Sequence, residues 1–254
     1  MAYAPKIAVI TGASRGLGRN TALHLAANGV DSILTYHSRD EDARAAVAEI
    51  EALGRHAVAL KLDTAATATF PAFVADLRAA LRDIWGRDGF DFLVNNAGIG
   101  IHHAFVDTSE AEFDRLMNVH LKGVFFLTQA LEPLIVDGGR IVNLSSGLTR
   151  FALPGYIAYA TMKGAVETMT KYLARELGPR RIAVNVVAPG AIETDFGGGQ
   201  VRDNAELNRM IAAQTAMGRV GLPDDIGGAI ASLLVGGNGW ITGQRIEASG
   251  GQAL

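Results

Sequence analysis

Residues 6–18 read "KIAVITGASRGLG": an apolar run, a glycine-rich turn, and the start of a helix-forming segment at Leu17. An uninterrupted apolar strand such as "KIAVI" is what a parallel sheet covered on both faces requires, whereas a half-wet antiparallel strand alternates. The turn gives its glycines separate duties. Gly12 permits the tight reversal, Gly16 lets the backbone approach a pyrophosphate, and Gly18 lets the helix pack closely on the strand. Free N–H groups and the dipole at the helix start favour an anion there. The spacing is G-x-x-x-G-x-G, and a ligand-free turn is the competing reading; its place at the first strand-to-helix junction argues for a phosphate.

Working outward, strand-like runs alternate with helix-length segments: "KIAVI" then 17–28, "SILTY" then 40–53, "HAVALKL" then a helix ending near Trp85, "FDFLVN" then 109–136, "GRIVNLS" then 156–177, "RIAVNVV", and finally "QRIEAS". This order predicts a doubly wound α/β fold, a mostly parallel seven-stranded sheet with helices on both faces. A single domain over 1–254 is expected. "FGGGQ" (196–200) leads into a helix near 203–214, an insertion spanning about 195–215. In open α/β sheets ligands bind beyond the carboxyl ends of the strands, near the reversal of winding, so the strand ends carry the search.

Composition narrows the partners. With 254 residues and 49% hydrophobic content the chain can bury a substantial core. A net charge of -3, without Lys/Arg blocks beyond pairs such as Arg180-Arg181, argues against nucleic acid or a membrane surface and for a small-molecule substrate. The absence of cysteine excludes disulfides and thiolate metal cages. His102-His103 lack a partner carboxylate in sequence, so no metal site is expected. No apolar run reaches the roughly 18 residues of a membrane span, and "MAYAPKIAVITGAS" lacks a secretory pattern, which gives a cytoplasmic expectation.

One stretch offers chemistry. In a helix over 156–177, Tyr159 and Lys163 are i and i+4 and share a face, while Tyr156 lies about 10 Å from Lys163 along the axis. Making a tyrosine of pKa near 10 an acid/base near neutrality takes about 4 kcal/mol, and a unit charge about 4 Å away at an effective dielectric near 20 supplies that much. Lys163 can serve Tyr159 in this way, and Tyr156 less well.

"TGASRGLG" at 11–18, "NNAG" at 95–98, a serine thirteen residues before "YATMK" and "VAPGAIET" at 187–194 together resemble the classical short-chain dehydrogenases/reductases, in the family's order and over residues 6 to about 251. The resemblance implies a Rossmann-type fold and a nicotinamide cofactor lying across the strand tops. It implies direct hydride transfer between nicotinamide and a carbonyl or secondary alcohol, with Tyr159 as acid/base, Ser146 on the substrate oxygen, Lys163 on the ribose and beside the phenol, and Asn118 in "RLMNVHLKG" holding a water through its main chain. Ser145 is left to complete its strand. Cofactor contacts carried over are Gly12, Ser14, Arg15, Gly16, Leu17 and Gly18; Asp63 at the adenine; Asn96, Ala97 and Gly98, where a side chain at 98 would crowd the cofactor; Tyr159 and Lys163; and Pro189, Gly190, Ile192 and Thr194 at the nicotinamide. Asn95 is expected to tie strands. At the end of the second strand Tyr36 stands where NAD-selective relatives carry an acid; with Ser38, Arg39 and Arg15 beside it, NADP(H) is expected, and NAD(H) is the other possibility. Arg39 pairing with Asp42 is the bland alternative. Gly147 and Tyr156 are expected at the substrate pocket. Alternatives are a 3-oxoacyl-[acyl-carrier-protein] reductase, for which Arg150, Arg175 and Arg180-Arg181 could supply a basic patch, and a non-catalytic NADP-binding sensor. Family habit also implies a homotetramer or homodimer through the helices at 109–136 and 156–177.

Overall fold

The computed structural model describes residues 5–254; residues 1–4 of the expected domain lie outside the described part. Seven strands, β1 (Ile7–Ile10), β2 (Asp31–Tyr36), β3 (Ala57–Lys61), β4 (Phe90–Asn95), β5 (Ile135–Leu144), β6 (Ala183–Pro189) and β7 (Arg245–Ala248), form one sheet in the order β3-β2-β1-β4-β5-β6-β7. Every pairing is parallel. The winding reverses between β1 and β4, and all the strand ends singled out above fall along one edge.

Alternation within buried strands explains the two cores. Ala8 and Ile10 of β1 face one side, where they meet Leu25 of α1 (Gly16–Ala27), Ala46 and Ile50 of α2 (Asp40–Ala52), and Ile226, Ile230 and Leu234. Ile7 and Val9 face the other, against Phe73, Leu77 and Leu81 of α3 (Phe70–Trp85) and Leu127 and Leu131. Burying each such side chain contributes about 1.5–3 kcal/mol before the entropy of ordering it, so both helix layers contribute to holding the sheet between them.

The segment 109–136 is not one helix. It comprises α4 (Glu110–Met117), which opens with a Ser109–Glu112 capping box, a π-helical turn over Asn118–Lys122, and α5 (Gly123–Leu131). The last stretch, expected as helix, instead tightens at Glu132–Leu134 and enters β5 at Ile135. The helix α6 (Ile157–Leu177) follows the expected bounds, and the insertion forms α7 (Gln200–Asp203) and α8 (Ala205–Ala213). A final helix, α9 (Pro223–Val235), is missing from the sequence reading. Its signals were present: a proline in the first turn, Asp224 and Asp225 beside it, and apolar residues at 226, 230 and 234. Gly227 and Gly228 weaken its propensity, yet Gly227 is what lets α9 approach α1, since a Cβ there would lie 2.0 Å from Asn20 Oδ1. Among the described residues no helix is long and apolar enough to cross a membrane.

Candidate active site

The glycine turn after β1 is held as the sequence implies. Gly12 has φ +64°, and a Cβ there would lie 2.9 Å from Ala97 Cα. A Cβ on Gly18 would lie 2.5 Å from Asn96 Nδ2 and 2.6 Å from Gly12 O. Gly16 also has positive φ, at +55°, and open space around it, as a cradle for a phosphate needs. Asn96 donates through Nδ2 to Thr11 O at 2.8 Å and Gly12 O at 3.1 Å, so its side chain fastens the turn to the end of β4. Asn95 donates to Asn143 Oδ1 and Thr128 Oγ1, bracing β4 against β5 and α5.

The two arginines expected at a 2'-phosphate are both engaged elsewhere. Arg39 pairs with Asp42 at 3.2 Å, the bland alternative. Arg15 reaches the insertion instead, pairing with Asp195 at 2.8 Å, and Asp195 also takes Arg202. Ser38 is exposed; Tyr36 ends β2, where its hydrogen bond to Asp40 raises its pKa. Asp63 accepts from Ala65 N–H at 2.9 Å and lies 3.6 Å from His37, so it shapes its own turn without capping α3.

Beyond β6, Gly221 N–H donates to Ala191 O and Glu193 N–H donates to Gly221 O. In this parallel bridge the N–H and C=O of Ile192 itself point the other way, available to a ligand. Gly190 lies tight against Ser249 and Gln252, and the Thr194 hydroxyl accepts from Phe196 N–H at 3.2 Å.

At the end of β5, Ser146 begins a short 3₁₀ turn and accepts from Leu148 N–H at 3.2 Å. Ser145 is turned away, donating to Glu167 Oε1 at 2.6 Å. Tyr159 and Lys163 are buried on the inner face of α6, with Lys163 Nζ 5.6 Å from the Tyr159 ring centroid and donating to Leu144 O at 2.8 Å. The electrostatics differ from the expectation that Lys163 depresses the tyrosine. Burial raises the Tyr159 pKa, a hydrogen bond with Ser146 pulls the other way, and Tyr156 adds to the rise. Burial also pushes Lys163 down to about 7. Desolvation outweighs the 5.6 Å approach of the ammonium, so Tyr159 holds its proton firmly in the free protein.

Asn118, expected to act through its main chain, begins the π turn, and its carbonyl accepts the Gly123 N–H that closes it. The residue the turn delivers is His120, which the sequence reading passed over. His120 is 1% exposed, stands edge-on to Tyr159 with ring centroids 5.1 Å apart, and meets the main chain of Ile99 through Nε2. A side chain at Gly98 would strike His120 Cε1 at 2.8 Å. An irregular turn sets which side chain faces inward; a regular helical count could not.

Around the Tyr159 hydroxyl, Phe196 of the insertion lies 5.8 Å away, ring to ring, and covers Gly100. Tyr156 stands at the start of α6 with its ring 4.7 Å from that of His102. Gly147 is buried against Phe151 and Pro189. His103 turns away to Glu112 at 2.8 Å, so the histidine pair diverges. Among the described residues no group of three metal-ligating side chains converges.

Comparison with known proteins agrees with this geometry. A family model described as Enoyl-(Acyl carrier protein) reductase matches residues 12–253. An uncharacterized oxidoreductase of Methylorubrum extorquens is 37% identical, covering 97% of each chain. Among solved structures, the promiscuous reductase LugOII, which catalyses keto-reduction at C1 during lugdunomycin biosynthesis, superposes with a TM-score of 0.93 at 37% identity, covering 98% of each chain. The angucycline C-6 ketoreductase LanV, solved with bound NADP, gives 0.92 at 35% identity over 98% of this chain and 95% of its own. With its glycine turn, its Ser–Tyr–Lys cluster and relatives matched over nearly their whole length, the chain belongs to the classical short-chain dehydrogenase/reductase family.

Proposed function

We propose that the protein is an NADP(H)-dependent oxidoreductase that interconverts a ketone or aldehyde and its alcohol. The observation that carries this reading is the convergence of Ser146, Tyr159 and Lys163 at the strand ends beside a glycine turn with open space at Gly16. The site fits a dinucleotide. Gly12, Ser14, Gly16, Leu17 and Gly18 would hold the pyrophosphate, Asp63 and Ala97 the adenosine, and Pro189, Gly190, Ile192 and Thr194 the nicotinamide end. When bound, the dinucleotide supplies or accepts the hydride.

The protein's own share is proton handling and orientation. Ser146 donates to the substrate oxygen and stabilises charge as it develops there. Tyr159, kept protonated by burial, delivers its proton to that oxygen in reduction, and Lys163 favours the phenolate left behind. Tyr156, Gly147 and Phe196 would wall the substrate pocket, with residues 195–215 as its lid. Support for NADP comes from LanV and from the lack of an acid at position 36. A 2'-phosphate would have to draw Arg15 from Asp195 and Arg39 from Asp42.

The carrier-protein alternative is weaker. Arg150 is held by Glu247 in two contacts of 2.7 and 2.8 Å, and Arg180 by Glu132 and Asp137, leaving only Arg175 and Arg181 of the arginines cited for an acidic carrier. A sensor would have no use for the buried acid/base cluster. A cytoplasmic homotetramer or homodimer goes with the main reading, supported by partly exposed Phe125 and Tyr172 on α5 and α6.

Replacing Tyr159 with Phe should lower ketone reduction by roughly 10²–10⁴-fold while NADPH still binds; retention of most activity would overturn the assignment. Arg15→Ala should reduce the NADPH-over-NADH preference by about tenfold, as for loss of one charge-assisted contact, and an unchanged ratio would place the phosphate elsewhere.

A further inference from the structure

His120 is a buried polar group that the mechanism above leaves without a task. Its Nε2 is satisfied at Ile99, 2.8 Å from the carbonyl oxygen and 3.2 Å from the amide nitrogen. Its Nδ1 has no partner among the described residues. A buried, unpaired imidazole nitrogen costs on the order of 1–3 kcal/mol, so its persistence next to Tyr159 calls for a use. The Lys163 ammonium, 5.6 Å from the centroid of the same tyrosine ring, has three N–H donors and gives one to Leu144 O. Burial drives His120 down to about 3, with Lys163 pushing the same way, so the ring is a neutral acceptor wherever Lys163 is charged. Tyr159 and Lys163 of α6 are the titratable groups that face it, and the Ile99 segment presents only main chain.

We infer that His120 is a positioning residue: anchored at Ile99, it backs the Tyr159 ring, and its Nδ1 takes a hydrogen bond from the Lys163 ammonium through one bridging water. The second acceptor offsets part of the desolvation that otherwise removes the charge from Lys163, and it keeps that charge beside the phenol. The absence of a side chain at Gly98 is what leaves room for the ring. The inference rests on the oxidoreductase reading for its kinetic consequence but not for the Lys163–His120 contact.

Two variants separate packing from hydrogen bonding. His120→Phe keeps a ring against Tyr159 and lacks both nitrogens; His120→Asn places a polar atom near the position of Nδ1. Lys163 is titrated by nitrogen NMR on the full-length protein labelled at the lysine side chains. Kinetics use 9,10-phenanthrenequinone and NADPH across pH. In His120→Phe, Lys163 should lose its proton at least one pH unit lower, and kcat should fall at least tenfold with KM for NADPH within twofold. The falling limb of the pH profile should move with the lysine. His120→Asn should recover most of both losses relative to Phe. Lys163 titrating in the Phe variant as in the unaltered protein would overturn the inference, as would an Asn variant that folds but titrates like Phe. If the unaltered protein fails to reduce the quinone, the oxidoreductase reading suffers, and the NMR titration still decides the contact.

Discussion

Lys163 must carry a positive charge in a place where burial opposes one. A lysine pushed down to about 7 is charged below that pH and neutral above it, whereas Tyr159 keeps its proton throughout the same range. For the free enzyme, kcat/KM for ketone reduction should therefore be highest below pH 7 and decline as pH rises through it. A pH profile checks this directly, and Lys163→Met should show low activity with no such decline. A profile that stays level up to about pH 9 would mean that the charge is not needed or that Lys163 is solvated. Tyr159 and Lys163 are legible because their chemistry follows from i, i+4 spacing on one regular helix, whereas Ser146 is chosen over Ser145 by the family resemblance. His120 is not legible, because its meaning depends on a turn that departs from regular spacing. The fate of Arg15 is hidden for a different reason: its carboxylate neighbour in space is 180 positions away, whereas the Arg39–Asp42 pair lies within one helical turn and is foreseen as the alternative.

Elements with regular periods were readable to within a residue or two, and the exceptions have local causes. The break between α4 and α5 occurs where Gly123 passes the backbone after β3. A Cβ on Gly123 would lie 2.0 Å from Thr64 O and 2.8 Å from Asn118 O, both of them backbone atoms with little freedom to give. Gly123 has φ −61°, so its conformation alone does not demand glycine, and propensity would favour alanine by about 1 kcal/mol. The overlap should win. Gly123→Ala is expected to cost about 2–3 kcal/mol in urea unfolding, in the range of other overpacked sites, and to lower activity by shifting the turn that carries His120. Gly164→Ala is the control: it lies inside α6 with nothing within 4 Å of the added carbon, and should stabilise by about 0.5–1 kcal/mol. Equal effects from the two substitutions would mean that propensity, not the Thr64 contact, governs position 123.

At the scale of the molecule, the active-site edge is tied to the last strand and the chain's end by one charged network. Glu167 of α6 accepts from Ser145, Thr149 and Arg245; Arg245 also donates to Glu247, which takes Arg150 and Ser249 as well. Arg150 in turn holds Ala253 O at 2.9 Å. No local pattern foretells this network, since Glu167 and Arg245 are 78 positions apart. Together with the buried His120, which lies outside it, this network makes for a two-stage response to acid. His120 has a folded pKa of about 3 against an ordinary 6.5, so the unfolded chain gains a proton first; stability is present above about 6.5 and is lost as pH falls toward 3. Glu247, held down to about 2 first by Arg150, contributes stability that is present above its ordinary 4.5 and is lost as pH falls toward 2. By pH 5 the histidine stage alone should cost about 2 kcal/mol relative to neutral pH, before the Glu247 stage is well under way. Urea unfolding measured at intervals from pH 7 to 4 should show that decline, and His120→Phe should flatten it between pH 6.5 and 5 whatever its effect on absolute stability. Glu247→Gln should leave the upper stage intact and soften only the fall below about pH 4.5. An upper stage that survives His120→Phe would mean that another group, not the buried imidazole, takes up the first proton.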